Sequence, residues 1–234
     1  MRAMRVSARI LREVGASLPR ASQAEMAIPS YSHRNPLVRW LFWARLDAAI
    51  SLAQPRRSEV VVDFGSGTGV LLPSIVKYAS DVVATDLHPE PARELASALD
   101  LPVQTMCLGG FSSWALANPA SVDCIFALDV LEHVGHDELG ALSSLFAELL
   151  RGSGRLITSG ATESVLYKLG RAVAGFKDEY HHRSIFDVDK LLALRWERQR
   201  TRVLPVRPLP RAFMLARYRR MSAPASGFRS SSLR

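Results

Sequence analysis

The stretch from Glu59 to Leu72 places the strongest constraint on what this chain can fold into. An apolar run typical of a β-strand ends at Asp63, and glycines follow at the alternate positions 65, 67 and 69 before an apolar pattern resumes. Glycine has no Cβ, so its backbone can adopt positive φ and a ligand can lie directly against it. The stretch predicts a strand, a tight turn and a helix start, with the turn holding a nucleoside-bearing cofactor.

Strand and helix patterns alternate after this turn. Helices are predicted at 68–78, 89–99, 137–150 and 187–194, with a loop and a short turn around Trp114. Strands are predicted at 58–64, 82–85, 103–108, 122–128, 155–159, 196–203 and 212–218. The last two are separated by a short turn and must be antiparallel, because a parallel return needs about a dozen residues or more. The pattern predicts an α/β fold with five parallel strands, an antiparallel hairpin of strands 6 and 7, and helices on both faces.

Residues 1–54 are predicted to form a helical and basic N-terminal extension. Residues 1–34 have weak periodicity and favour a frayed helix followed by loop, whereas Asn35 and Pro36 are typical of a helix start. The helix at 36–52 is apolar on more than one face, so we expect a lid over the cofactor cleft or a packing helix. A membrane contact with Arg39 and Arg45 at its margin is the alternative. Residues 221–234 are predicted to be a disordered basic tail.

The formal charge of +8 is unevenly distributed. The sums over residues 1–57, 58–194 and 195–234 are +7, −9 and +10. The basic ends could attract a nucleic acid, an anionic membrane surface or an anionic substrate, or could simply reflect a general preference for arginine. Two cysteines, both in apolar runs, indicate neither a disulfide framework nor a cysteine metal site. No apolar run reaches 18 residues, and we expect a cytoplasmic protein, with peripheral membrane contact as an option.

Polar residues at the predicted strand ends are the candidates for a ligand site, because ligands of open α/β sheets bind at the carboxyl ends of the strands. They are Asp63 with the glycine turn, Asp86, the loop after strand three, and Asp129 with Glu132 and His133. A carboxylate such as Asp86, at the end of strand two, can accept hydrogen bonds from both hydroxyls of a ribose.

The glycine spacing and two further motifs resemble one family. Dinucleotide-binding domains place the third glycine three residues after the second, whereas Gly67 and Gly69 are two apart. The run at 61–69, Val-Val-Asp-Phe-Gly-Ser-Gly-Thr-Gly, is similar to the first motif of the class I S-adenosylmethionine-dependent methyltransferases, in their small-molecule branch. The runs at 121–134 and 150–157 are similar to that family's fourth-strand motif and fifth-strand entry. The likeness covers about residues 56–218 and implies a Rossmann-like methyltransferase domain at 55–220.

The resemblance also implies a cofactor site for S-adenosylmethionine. The methionine end would lie on the glycine turn, and the ribose would lie at Asp86 and Leu87. Asp63 would either order the turn or reach the methionine amine through water. The loop after strand three commonly carries an acid for the adenine, but here it contains Gly110 and Phe111, so backbone groups or stacking would have to serve. The cofactor-binding residues so predicted are Asp63, Gly65, Ser66, Gly67, Gly69, Asp86, Leu87, Gly110, Phe111 and Asp129.

The methyl acceptor is left open by the sequence, as is any catalytic base. Weak candidates for acceptor binding are His133, Tyr180, His181 and His182, and an insertion at about 160–184 would cap the acceptor side with Tyr167, Lys168, Arg171 and Phe176. No residue set has the spacing of a metal site, so no metal is predicted. A small-molecule or lipid-linked acceptor is favoured, with no transmembrane segment and an undetermined oligomeric state.

Two alternatives stay open at this point. A nucleic-acid methyltransferase is favoured by the basic ends but lacks the Asn/Asp-Pro-Pro-Tyr/Phe motif of base methylation after strand four, where 129–132 reads Asp-Val-Leu-Glu. A non-catalytic module that keeps S-adenosylmethionine as a ligand is the other alternative.

Overall fold

Seven strands form one sheet in the computed structural model, which describes residues 1–16, 28–162, 184–205 and 211–221. The strands are β1 (Val60–Phe64), β2 (Asp81–Asp86), β3 (Gln104–Cys107), β4 (Val122–Leu128), β5 (Leu150–Ala161), β6 (Trp196–Leu204) and β7 (Phe213–Arg220). Their order across the sheet is β3-β2-β1-β4-β5-β7-β6. Strands β1 to β5 are parallel, and β7 is antiparallel to both β5 and β6. The predicted fold class is confirmed.

Helices cover both faces of this sheet. They are α1 (Ala8–Gly15), α2 (Ile28–Tyr31), α3 (Pro36–Ala53), α4 (Leu72–Val76), α5 (Glu90–Ala98), α6 (Leu108–Ala117), α7 (His136–Leu149) and α8 (Ile185–Leu192). Successive side chains of a strand point to opposite faces. Val61 and Phe126 therefore pack with α1, α3, α4 and α5, whereas Val62 and Ile125 pack with α6, α7 and α8. Within the described ranges, no helix is long and apolar enough to cross a membrane.

Three predicted elements differ from the observed ones. The loop and turn around Trp114 are instead the ten-residue helix α6, because Phe111 and Ala115, four residues apart, bury one face of it in the core. That burial outweighs the low helix propensity of Gly109 and Gly110. Helix α4 is shorter than expected, and β5 begins at Leu150, where a helix end had been expected.

The N-terminal segment packs on the domain, so the expectation of a frayed helix was wrong. Ser7 caps α1 by accepting a hydrogen bond from the amide of Ile10, and Leu11 is fully buried. Before α1, the amide of Ala3 donates to Asp47 of α3 at 2.7 Å, and the amide of Met4 donates to Ser74 of α4 at 2.8 Å. The segment before α1 therefore contacts both α3 and α4.

Helix α3 is held at both ends. Asn35 caps it through a hydrogen bond from the amide of Leu37, as predicted. At its other end the carbonyls of Leu52 and Ala53 accept hydrogen bonds from Arg217 and Arg155, at 3.1 and 2.5 Å. Arg155 is buried and also pairs with Glu59, just before β1, at 2.6 Å. The C-terminal end of α3 therefore lies at the amino end of the parallel strands.

We expect Leu11→Ala to lower the free energy of unfolding by about 2 to 5 kcal/mol, because it opens a cavity in a buried site. Urea unfolding followed by circular dichroism measures this. Arg9→Ala is the matched control on the exposed side of α1, where a change of under about 0.5 kcal/mol is expected. Equal effects of the two substitutions would mean that the N-terminal segment is not part of the cooperative fold.

Candidate functional site

The glycine turn after β1 adopts a conformation that only glycine accommodates easily. Gly65, Gly67 and Gly69 have φ of 71°, 53° and 75°. A Cβ on Gly65 would lie 2.5 Å from Val130 after β4, and one on Gly69 would lie 2.7 Å from Leu72. The turn therefore packs against the residue that follows β4 and against the start of α4, and its backbone lies at the carboxyl edge of the sheet.

Hydrogen bonds tie the same turn to β2. The amides of Gly65 and Ser66 both donate to the carbonyl of Thr85, at 2.8 and 3.1 Å. The amide of Gly67 donates to the Asp86 carboxylate at 2.8 Å, whose other oxygen accepts from the amide of His88 at 3.0 Å. Asp86 thus orders the turn, a duty that was not predicted for it. Each carboxylate oxygen has a second lone pair, so the group can still accept from a ligand.

Asp63 lies buried beneath the turn. Burial raises the pKa of its carboxyl from 3.8 to about 7, and the charge of Asp86 adds to the rise. Near neutral pH this carboxyl is therefore poised between its neutral and its charged form.

Buried hydroxyls without partners surround the turn. The side-chain oxygens of Ser66, Thr68 and Thr85 are inaccessible to solvent and have no hydrogen-bond partner within the described ranges. Buried polar groups are normally paired, so unpaired ones in a site mark places where a ligand or water binds. Together with the open backbone of the glycines, they fit a polar cofactor that carries hydroxyl and amino groups.

The predicted adenine side of the site begins at α6. Phe111 is buried, with its ring centre 5.6 Å from that of Phe64 and 5.9 Å from that of Trp114. Its ring supports the core and offers no exposed face to a ligand. A Cβ on Gly109 would meet nothing within 4 Å, so the backbone at the start of α6 is open. Of the two options left by the sequence, backbone contacts fit this geometry better than stacking on Phe111.

At the end of β4, Asp129 forms a partly buried cluster with three residues that sequence reasoning did not assign to the site. The carboxylate accepts a hydrogen bond from the hydroxyl of Ser159 at 2.6 Å and pairs with the guanidinium of Arg45 from α3. Arg45 also donates to the hydroxyl of Tyr31 at 2.5 Å. Asp129 has a φ of 53°, a strained value for a residue with a Cβ, which is typical of functional sites.

Arg45 had been considered as the margin of a membrane contact, and the structure buries it instead. Its guanidinium carbon lies 5.3 to 6.0 Å from the ring centres of Tyr31, Phe42 and Phe213. The available signal was an arginine in the middle of an apolar helical run, since a buried cation requires an anion as its partner.

The other predicted site residues are distributed as follows. Leu87 follows Asp86 and is exposed. Glu132 and His133 lie in a short turn at Leu131–His133, where Glu132 is buried and His133 is exposed. In the described part of the chain, no group of three or more His, Cys, Asp or Glu is arranged to hold a metal ion. The remaining candidates, and the proposed lining of the insertion, lie outside the described residues: Tyr167, Lys168, Arg171, Phe176, Tyr180, His181 and His182.

We expect Asp63 to make the fold less stable as the pH rises. Its carboxyl holds a proton more tightly in the folded state than in the unfolded one, so its contribution is complete below about pH 4 and is lost through about pH 7. Between pH 5 and 8, the free energy of unfolding should fall by about 2 to 3 kcal/mol more in the native protein than in Asp63→Asn. Urea unfolding at the two values measures the difference, and equal slopes for both proteins would contradict it.

Comparison with known proteins identifies the family. A family model described as a methyltransferase domain matches residues 37–200. The N-methyltransferase NodS from Bradyrhizobium japonicum WM9, solved with S-adenosyl-l-homocysteine, is 13% identical, with a TM-score of 0.65 over 86% of this chain and 97% of NodS. Magnesium protoporphyrin IX methyltransferase (ChlM) from Synechocystis PCC 6803, also with that product bound, is 19% identical, with a TM-score of 0.60 over 92% of this chain and 100% of ChlM.

A third structure, a SAM-dependent methyltransferase from Aquifex aeolicus, is 15% identical, with a TM-score of 0.60 over 85% of this chain and 98% of its own. No curated protein sequence matches the chain. The family model spans well over half of the chain, from α3 into β6, and includes the glycine turn, Asp86 and the end of β4. The chain therefore belongs to the methyltransferase domain family and is an S-adenosylmethionine-dependent methyltransferase of class I.

Proposed function

We propose that the acceptor is a small molecule with a large apolar part, such as a lipid-linked compound, bound at the carboxyl edge between the end of β4 and the first half of α3. The observation that carries this proposal is the exposure of Leu37 and Trp40, at 72% and 55%, on that part of α3. The remaining half of the helix is mostly buried.

The direction of α3 supports this location for the acceptor. Its C-terminal end is bound by Arg155 and Arg217, whereas Arg45, eight residues earlier, reaches Asp129 at the carboxyl end of β4. At 1.5 Å per residue, the nine residues from Arg45 back to Pro36 extend about 13 Å further. An exposed apolar surface therefore stands beside the edge at which the cofactor turn lies.

Two exposed arginines of β6 lie on the same face of the sheet as α3. Arg200 and Arg202 of β6 pair across the hairpin with Arg217 and Leu215. Arg217 bonds to α3, and Leu215 belongs to the core beneath it, so the paired side chains share the α3 side of the sheet. Arg200 and Arg202 are exposed and have no ion-pair partner in the described ranges. Exposed apolar side chains on α3, with exposed arginines on the same face of the sheet, fit an anionic membrane surface from which a lipid-linked acceptor is taken.

The reaction requires little from side chains apart from positioning. The cofactor supplies an activated methyl group on its sulfonium, and holding a nucleophile in line with it contributes up to about 7 to 11 kcal/mol. In this proposal the glycine turn binds the methionine end, Asp63 orders that turn, Asp86 accepts the ribose hydroxyls, and the backbone at the start of α6 meets the adenine. Asp129 lies on the cofactor side, and His133 lies on the acceptor side.

We expect Asp86→Ala to weaken S-adenosylhomocysteine binding by about 1.5 to 3 kcal/mol, because the ribose loses its acceptor and Gly67 loses its anchor. Isothermal calorimetry measures this. Asp86→Asn keeps one oxygen for Gly67 and should give a smaller loss, and Asp81→Ala, at the exposed far end of β2, is the control. Unchanged affinity in Asp86→Ala would refute the ribose assignment.

We expect the native protein to sediment with vesicles that contain anionic lipid and the variant Leu37→Ser/Trp40→Ser to remain in solution. Leu116→Ser and Leu194→Ser remove equally exposed apolar side chains elsewhere and should leave sedimentation unchanged. Failure of the native protein to bind such vesicles would remove the basis for the membrane contact. Binding to homopolymer RNA that falls steeply with salt and ignores Leu37 and Trp40 would favour a nucleic-acid acceptor instead.

The acceptor itself is accessible through its product. Lipid and aqueous extracts of cells with and without the gene should differ by a compound heavier by one methylene unit, and the proposal places that compound in the lipid extract. Its appearance only in the aqueous extract or in RNA would overturn the acceptor class.

A further inference from the structure

The carboxyl edge around the cofactor turn is rich in acids. Asp63 and Asp86 lie at the ends of β1 and β2, and Asp129 and Glu132 follow β4. Arg45 contributes a cation to the same edge from α3, a helix upstream of the first strand. The charge that a bound cofactor experiences therefore depends on whether Arg45 neutralises Asp129.

Asp129 lies close to the cofactor turn. Its neighbour Val130 packs directly against Gly65, so β4 and the turn meet at this residue. The side chain of Asp129 is 26% exposed, whereas that of Arg45 is 5% exposed and stands behind it among aromatic rings. The carboxylate is thus on the open side of the pair, and the guanidinium is the buried partner that holds it.

Methyl transfer changes the charge of the cofactor. When the bond between sulfur and the methyl carbon breaks, its electron pair stays on sulfur, so the positive sulfonium of S-adenosylmethionine becomes the neutral thioether of S-adenosylhomocysteine. The two molecules otherwise present the same groups to the protein. An uncompensated carboxylate at this edge favours the first over the second, and an uncompensated guanidinium does the opposite.

We propose that Arg45 is a positioning residue that sets how strongly the site prefers S-adenosylmethionine over its demethylated product, by neutralising and orienting Asp129. Helix α3 is then part of the cofactor site as well as a cover for the core. Its role in this respect is independent of which acceptor the enzyme uses.

The test is the ratio of two dissociation constants, that of S-adenosylhomocysteine divided by that of S-adenosylmethionine, measured by calorimetry without acceptor. Arg45→Met should raise the ratio about threefold to tenfold, because Asp129 loses its counter-charge. Asp129→Asn should lower it by a similar factor. The double variant Arg45→Met/Asp129→Asn should return it to near the native value, and Arg45→Lys should stay close to native.

A purely structural role for Arg45 predicts a different result. Local distortion weakens binding of both molecules equally and leaves the ratio within about twofold of native, which would overturn the proposal. A shift in the same direction for both single variants would overturn it as well. If Arg45→Met does not fold, Asp129→Asn is compared with the double variant, which contains no unpaired buried charge. The proposal then requires a lower ratio in Asp129→Asn than in the double variant.

Arg5→Met is the matched control for the removal of a cation near α3. Arg5 pairs with Asp47 at 2.7 Å on the outer side of this helix and lies over the ring of Trp43. Its replacement should leave the ratio of dissociation constants unchanged, because Asp47 is two residues from Arg45 on α3 and so points away from Asp129, and the pair is partly exposed to screening solvent. An equal change in the ratio for Arg5→Met and Arg45→Met would mean that net charge, and not the pair with Asp129, sets the preference.

Discussion

The left-handed conformation of three glycines after β1 is the constraint on which the site depends. At Gly65 the absence of a side chain lets Val130 after β4 pack against the turn, and at Gly69 it lets Leu72 begin α4 close by. Amides in the turn donate to Thr85 and Asp86 of β2. One short turn therefore brings the ends of β1, β2 and β4 together, which is where an open parallel sheet binds its ligand.

Two acids at the carboxyl edge of the sheet, Asp63 and Asp129, differ in burial and in their partners. Asp63 is removed from water, which raises the pKa of its carboxyl to about 7, whereas Asp129 is partly exposed and pairs with the buried guanidinium of Arg45. A buried ion pair contributes little net stability, yet removing one partner is costly because the other charge is left in a poor solvent. The pair between Arg45 and Asp129 is therefore better understood as a way to hold α3 and β4 in one arrangement than as a source of stability.

Helix α3 connects three properties of the molecule. Its buried half completes the core on one face of the sheet, its middle brings Arg45 to the end of β4, and its first turns expose Leu37 and Trp40. Methyl transfer from a sulfonium requires the exclusion of water and alignment of the nucleophile more than a specialised base. A helix with a buried C-terminal half and exposed apolar residues in its first half can supply an acceptor surface without adding catalytic side chains.

Much of this arrangement was determined by local sequence. The glycine turn and the alternation of apolar segments predicted the sheet, its antiparallel hairpin and a nucleoside-bearing cofactor, because strand periodicity and turn sterics depend on neighbouring residues. The resemblance of three motifs to the class I methyltransferases implied S-adenosylmethionine. Helix α6 and the packed N-terminal segment were not predictable in this way, since burial of Phe111 and Leu11 against distant residues overrides weak local propensity. The second duty of Asp86 and the cluster of Arg45, Tyr31 and Asp129 were decided by tertiary structure alone. Arg45 and Asp129 are 84 positions apart in the chain, and only the packing of α3 on the sheet brings the two charges into contact.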